Sequence, residues 1–433
     1  MLRLTVTAIA LTVGLCSSAP LLAGEPSAPG PFGAGRKDVT VTRPNGTTFV
    51  ATLHYPATES GVNKPFDPSG GPYPIVSFGH GFVQPVTQYQ STLSHLATHG
   101  YFVIASQSNG GIAPSHAGFA ADLRSCVDWL LLQGAAGAQF GGAVAADRIA
   151  FSGHSMGGGA ALLAAKDDAR EVAVVTLAAA ETNPSAIAAA SAIGTPARLI
   201  VGSQDTIVPP ASSAAPMYAN FPGPRQLCTI EGGFHCGFTD ADFLFCDSGS
   251  ITRAVQLEKT RGLMTRFLDQ YLKFDAATPT APWTETWGAA APGVAGVTLS
   301  SDPGASITPS AGTVVGPLGG TGTIAVTVTH LDAAPQAYEL LGDGVTFVPP
   351  STSVLGQGVS FVASATIAIP ANATAGDQVL LSARNASDHA TRTYVALMLQ
   401  PTPARNPADL DGNGTVDAAD LAVLLGAWGS GGP

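Results

Sequence analysis

The chain has 433 residues, 45% of them hydrophobic and only 11% charged, so it is too long for one ordinary domain and apolar enough to bury sizeable cores. With 19 basic against 30 acidic residues its formal net charge is −11, and no basic run occurs anywhere. That balance excludes a phosphate-backbone partner, so no nucleic acid is expected.

At the N-terminus one arginine precedes an apolar run over residues 4–15, followed by small residues up to Ala23 and Gly24. Residues 1–24 read as a secretory signal peptide, too short and too weakly flanked for a membrane span. Cys16 follows the large Leu15 where a lipoprotein signal needs a small residue, so lipidation is not expected. No later stretch is long and apolar enough to cross a bilayer, and the expected location is extracellular. Beyond Cys16 stand Cys126, Cys228, Cys236 and Cys246, an even number that in an exported chain suggests two disulfides. Cys236 and Cys246 close a short loop and are the favoured pair; the alternative is that some cysteines are buried thiols.

Residues 36–280 alternate strand-like and helix-like segments. DVTVTRPNGTTFVATLHYPA predicts a hairpin with Asn45-Gly46 at its turn. Short apolar runs then follow, YPIVSFG, YFVIASQ, RIAFSG, VAVVTLAAA, ARLIVGS and RQLCTIEG, separated by helix-compatible stretches. Nearly continuous apolar strands between helices predict an α/β fold with a doubly wound, mostly parallel sheet covered on both faces. The segment 251–274 closes the unit as a helix with Leu257, Met264, Phe267, Leu268 and Tyr271 on one face.

Residues 151–160, FSGHSMGGGA, place Ser155 between Gly153 and Gly157. In a chain with 51 glycines such spacing can arise by chance, so its setting decides. A strand runs into it and a helix-forming stretch leaves it, which is the arrangement of a nucleophile elbow. A serine hydroxyl is inert near neutral pH without a base, and the base needs an orienting acid. In this fold the chain order is serine, acid, histidine. ARLIVGSQD ends in Asp205 and RQLCTIEGGFH ends in His235, each just after an apolar strand, where loops gather at the carboxyl edge of a parallel sheet. Ser155, Asp205 and His235 are therefore the candidate triad. The oxyanion donors expected are the backbone N–H groups of Met156, after the serine, and Phe82, in the loop SFGHGFVQP.

Other titratable groups fit less well. His154 adjoins the serine but should point away from it, and His95 and His99 fall in a helix-like segment. His116 lies in a loop, Asp240 and Asp242 would reverse the expected order, His80 is read as structural and Glu231 as a supporting group at most.

GHSMGGGA, GHGF after a strand, LATHGYFVIA, GSQDTIVPP and the late histidine together resemble the bacterial cutinase and polyester-hydrolase family of α/β-hydrolases, and the related chlorophyllase- and dienelactone-hydrolase-like enzymes. The resemblance covers about residues 39–274. It implies a lidless esterase with an open cleft, Ser155 attacking an ester, Met156 and Phe82 holding the oxyanion, and no cofactor for catalysis. Where polyester hydrolases of that family carry Thr-Pro-Trp after the sixth strand, this chain reads LAAAE, with roughly Ala180 in place of the substrate-stacking tryptophan. An aromatic clamp is thus not implied, whereas simple acyl esters and aliphatic polyesters stay open.

Over residues 290–400 Gly, Ser, Thr, Pro and Ala dominate, and short alternating runs such as GTIAVTVTH and GVSFVASATIAI predict an all-β, immunoglobulin-like sandwich. Residues 401–407, PTPARNP, read as a stiff linker. The tail 408–430 places Asp409, Asp411, Asn413, Asp417 and Asp420 at the oxygen-ligand positions of a calcium loop, with Gly414 at the sharp turn and Thr415 offering its carbonyl. A solvated acidic tail is the plainer alternative. With Asp420 as the last ligand the loop resembles a dockerin repeat, of which one copy is present, and this implies calcium and a cohesin-like or cell-surface partner.

The reading that unites these features is a secreted serine esterase of the cutinase type acting on a small acyl ester or polyester. Two others stay open: an acyltransferase or peptidase on the same fold, and an adhesion or scaffold protein with an inactive hydrolase-like domain.

Overall fold

Alternation of apolar and polar residues on either side of Asn45-Gly46 produces the first hairpin, with Gly46 at a φ of +83° in the turn. The computed structural model describes residues 26–222, 224–273, 294–302, 304–331, 335–386, 391–402, 408–410 and 416–428. The hairpin strands are β1 (Gly33–Thr42) and β2 (Thr48–Ala57), followed by the short β3 (Gly61–Val62). Then β4 (Tyr73–Gly79), α1 (Gln90–Thr98), β5 (Phe102–Ser106), α2 (His116–Gly134), β6 (Val144–His154), α3 (Met156–Lys166) and β7 (Glu171–Leu177) alternate. The series continues with α4 (Ala186–Ala190), β8 (Ala197–Gly202), α5 (Ala214–Asn220), β9 (Arg225–Ile230) and α6 (Arg253–Leu268).

These strands form one sheet, completed by β10 (Val297–Asp302), in the order β10-β9-β8-β7-β6-β4-β5-β2-β1-β3. The six strands from β5 to β9 run parallel, while β1, β2 and β10 supply antiparallel pairings at the two sides. Successive residues of each central strand feed opposite cores. Ile75, Phe151 and Leu199 pack with α2 to α5, whereas Val76, Ala150 and Ile200 pack with α1 and α6. The near-continuous apolar runs in the sequence are the signature of this two-sided burial.

Cys126 of α2 belongs to the first core and Cys228 of β9 to the second, so the sheet lies between them. This corrects the expectation of two disulfides: both are buried thiols, and among the described residues only Cys236–Cys246 is bridged, with Cα atoms 5.6 Å apart.

The chain from Ala305 builds two four-stranded sheets. One has the order β11 (Ala305–Pro309), β13 (Thr321–His330), β16 (Ser360–Ala368), β15 (Val345–Val348). The other has the order β12 (Thr313–Pro317), β18 (Thr391–Thr402), β17 (Gln378–Asn385), β14 (Tyr338–Leu341). All pairs are antiparallel except β12 with β18. Their inward faces share one core, in which Ile324, Val326 and Ile367 meet Leu340, Leu381 and Leu397.

Helix α7 (Ala418–Ala427) begins at a capping box, in which Asp417 caps the helix and Asp420 accepts the Asp417 N–H. Among the described residues no helix is long and apolar enough to cross a membrane.

Candidate active site

Strand β6 delivers Ser155 to the turn before α3 at φ +55° and ψ −122°, a backbone conformation that non-glycine residues rarely adopt. The turn is possible only because its neighbours lack side chains. A Cβ on Gly157 would lie 2.1 Å from the Gly79 carbonyl oxygen, and one on Gly153 would lie 2.3 Å from that of Gly157. The turn is pinned at both sides: the Ser155 N–H donates to the Leu177 carbonyl at 2.9 Å, and its own carbonyl accepts from Ala180 at 2.9 Å. The strain is thus held by one hydrogen bond to the end of the adjacent strand β7 and one from the loop after it, and the serine sits at the N-terminus of α3, where the helix dipole favours negative charge.

Asp205 and His235 come from the loops after β8 and β9. His235 Nδ1 and Asp205 Oδ2 are 2.8 Å apart, and both side chains are buried. The second carboxylate oxygen accepts the N–H groups of Ile207 at 3.0 Å and Val208 at 2.7 Å. The carboxylate is thereby fixed in place and accepts the Nδ1 proton, which leaves Nε2 as the basic nitrogen. Three loops from β6, β8 and β9 therefore bring the sequence-predicted Ser155, Asp205 and His235 to one edge of the sheet.

Sequence reasoning did not single out Asp247, which ties two of these loops together. Its Oδ2 accepts the N–H of His235 at 2.9 Å and of Thr206 at 3.2 Å, and its Oδ1 accepts that of Cys236 at 3.0 Å. Gln256 on α6 adds a reciprocal pair with the Phe234 backbone at 2.9 and 2.8 Å. Nothing in local spacing signals such contacts between a side chain and distant backbone.

The loop after β4 carries the other expected donor. Phe82 is half exposed, next to Gly81, whose N–H donates to the Tyr89 hydroxyl at 2.9 Å. Tyr89 in turn lies 2.9 Å from Nδ1 of His154, and the His154 ring stands 4.5 Å from that of His235. The buried hydroxyl, which accepts from Gly81, has His154 Nδ1 as the acceptor for its own proton. Burial pushes the Tyr89 hydroxyl pKa up, so it stays protonated. Burial also holds His154 neutral, reinforced by the neighbouring His235 and opposed by a contact with the His235 backbone. His154 is buried and packs on the candidate base. Two ring nitrogens of His80 contact the carbonyls of Gly81 and Ser108 at 2.8 Å each, a bracing role.

The remaining candidates are engaged elsewhere. His95 packs against Pro26 and Thr265, His99 contacts Ala28, and His116 contacts the Asn183 backbone. Asp240 accepts from Ser91, Asp242 pairs with Arg253, and Glu231 accepts from Thr298 on β10. A cavity of about 620 Å³ behind the loop after β4 is lined by Arg36, His54, Gln84 and Gln107, among others, but by none of Ser155, Asp205 and His235. It is not where those three would meet an acyl group.

Of the calcium-loop residues, Asp409, Asp417 and Asp420 are described, whereas Asp411, Asn413 and Thr415 lie outside the described residues. Asp409 and Asp420 are buried, and Asp420 accepts the N–H of Leu410 at 2.5 Å and of Asp417 at 2.7 Å, which ties the start of the loop to its end. Among the described residues no group of three or more His, Cys, Asp or Glu side chains converges as a metal site.

Residues 19–282, more than half of the chain, match the protein-family model PETase, described as PET hydrolase-like. No curated protein matches the chain.

Proposed function

The chain belongs to the PET hydrolase-like family of serine polyester hydrolases, cutinase-like serine esterases, and from that premise we propose that Ser155, His235 and Asp205 carry its ester hydrolysis. The observation that supports these roles best is the 2.8 Å contact of buried His235 with buried Asp205 at the sheet edge where the strained turn presents Ser155.

In this mechanism Ser155 Oγ attacks the ester carbonyl while its proton passes to His235 Nε2. Asp205 keeps the Nδ1 proton in place and stabilises the imidazolium without taking that proton. The carbonyl oxygen becomes an oxyanion held by the N–H groups of Met156 and Phe82, aided by the N-terminus of α3. The C–O bond breaks, the alcohol leaves with the proton from His235, and an acyl-Ser155 ester remains. Water repeats the sequence: His235 takes its proton, the acid is released and Ser155 recovers its hydrogen. No step calls on a cofactor. The absence of a clamp at Ala180 favours simple acyl esters and aliphatic polyesters, and residues 1–24 direct the protein out of the cell. Hydrolysis of p-nitrophenyl esters from acetate to palmitate tests the assignment, with turnover expected in the parent and a loss of about 10³-fold or more in Ser155→Ala. Retention of turnover in that variant refutes it.

The tail is assigned to structural calcium. Asp409, Asp411, Asn413, Asp417 and Asp420 would supply side-chain oxygens and Thr415 its carbonyl, a hard-oxygen set suited to Ca²⁺. The burial of Asp409 and Asp420 at the two ends of the loop supports the fit. The dockerin-like pattern then makes Leu421 and Leu425 of α7, with Trp428 just beyond it, a docking face for a cohesin-like or cell-surface partner. Calorimetric titration with CaCl₂ should show one site, abolished in Asp409→Ala/Asp420→Ala; heat unchanged by those substitutions contradicts it.

A further inference from the structure

Immediately after His235 the chain makes an excursion closed by the disulfide between Cys236 and Cys246, which are ten positions apart. At its tip Leu244 is 77% exposed and Phe245 is 86% exposed. Phe245 also has a φ of +69°, in the left-handed region that bulky residues avoid. A protein gains nothing within itself from a strained, solvent-facing aromatic, so the observed outlier points to something the loop meets. The loop is not slack. The disulfide closes it, Asp247 fastens it to the backbone of His235, Cys236 and Thr206, and Asp242 is paired with Arg253 on α6. Apolar side chains project from the neighbouring loops of the same sheet edge as well: Phe82 and Val83 after β4, Ile112 after β5 and Ile207 after β8.

We infer that Leu244 and Phe245 form a rigid apolar anchor that seats the candidate active site on the surface of a condensed, water-insoluble polyester. The inference rests on the esterase reading and extends it from a dissolved ester to an interface. The occupant follows from what the loop is built onto. Its apolar tip carries no charge, and its base is hydrogen-bonded to the backbone of the candidate base, so whatever the tip touches is held beside Ser155. A substrate that is itself an extended apolar surface can satisfy the tip and the cleft at once. A dissolved small ester occupies the cleft alone and leaves the tip in water.

The test uses the full chain carrying Leu244→Ser and Phe245→Asn. Asparagine tolerates positive φ, so the loop conformation is kept while the apolar contact is removed. Adsorption to a polycaprolactone film is measured by depletion, in a Ser155→Ala background so that film erosion does not interfere. In the active background, product release from the film is compared with turnover of p-nitrophenyl acetate. We expect adsorption and film hydrolysis to fall by about fivefold or more and p-nitrophenyl acetate turnover to stay within about twofold. Unchanged adsorption overturns the anchor, as does an equal fall on film and soluble ester, which would make the loop a support of the triad. Loss of binding to phosphatidylcholine vesicles with film adsorption intact assigns the tip to lipid and overturns it too. If the parent turns over no ester, the esterase reading fails, and the adsorption arm still decides the anchor.

Discussion

Tyr89 links two halves of the site that the chain order keeps far apart. Its hydroxyl accepts from Gly81, beside the candidate donor Phe82, and donates to His154, which precedes Ser155 and packs on His235. That donated bond stabilises the neutral form of His154. Removing it in Tyr89→Phe leaves the buried His154 Nδ1 without that donor, against the ring of the candidate base His235. The expected result is a fall in kcat of about tenfold with KM within about twofold, as for loss of one buried hydrogen bond. Turnover in Tyr89→Phe equal to that of the parent would show that this hydrogen bond does not support the site.

At the scale of elements, the site depends on how adjacent strands end. Strands β4 and β6 are hydrogen-bonded neighbours, although α1, β5 and α2 separate them along the chain, so the Phe82 loop and the Ser155 turn meet at the point where the winding of the sheet reverses. The placement of Ser155, Asp205 and His235 just beyond β6, β8 and β9 was legible beforehand because each follows an apolar run. Asp247 was not, because its partners are backbone N–H groups on two loops that no motif connects. Strand β10 was not either: its residues read as the opening of the sandwich, yet they pair with β9 in the large sheet and bury Val297. Pairing across such a separation leaves no local trace in the sequence. A chain ending at Asp302 keeps this edge, whereas one ending at Gly296 loses it. With burial of one valine worth about 2 kcal/mol, the shorter chain should melt about 4–8 °C lower. Equal melting temperatures would show that β10 adds nothing to the stability of the catalytic unit.

Across the whole molecule, composition marked out the layers but not how they are joined. Apolar runs flanked by helices dictated a sheet covered on both faces, and the strict alternation in β13 and β16 dictated sheets with one wet face. The cysteine count misled, since even numbers suit disulfides, but the sheet separates Cys126 from Cys228. What the assembled fold offers is one sheet edge carrying a strained serine, a buried carboxylate–imidazole pair and an apolar rim. The central claim is that ester hydrolysis passes through Ser155, and the most direct measurement is peptide mass mapping of enzyme quenched in acid during turnover of p-nitrophenyl hexanoate. The account predicts a hexanoyl mass increment on the peptide containing Ser155 and none in Ser155→Ala, which should also be inactive. Turnover with the increment on another residue, or undiminished in Ser155→Ala, would contradict it.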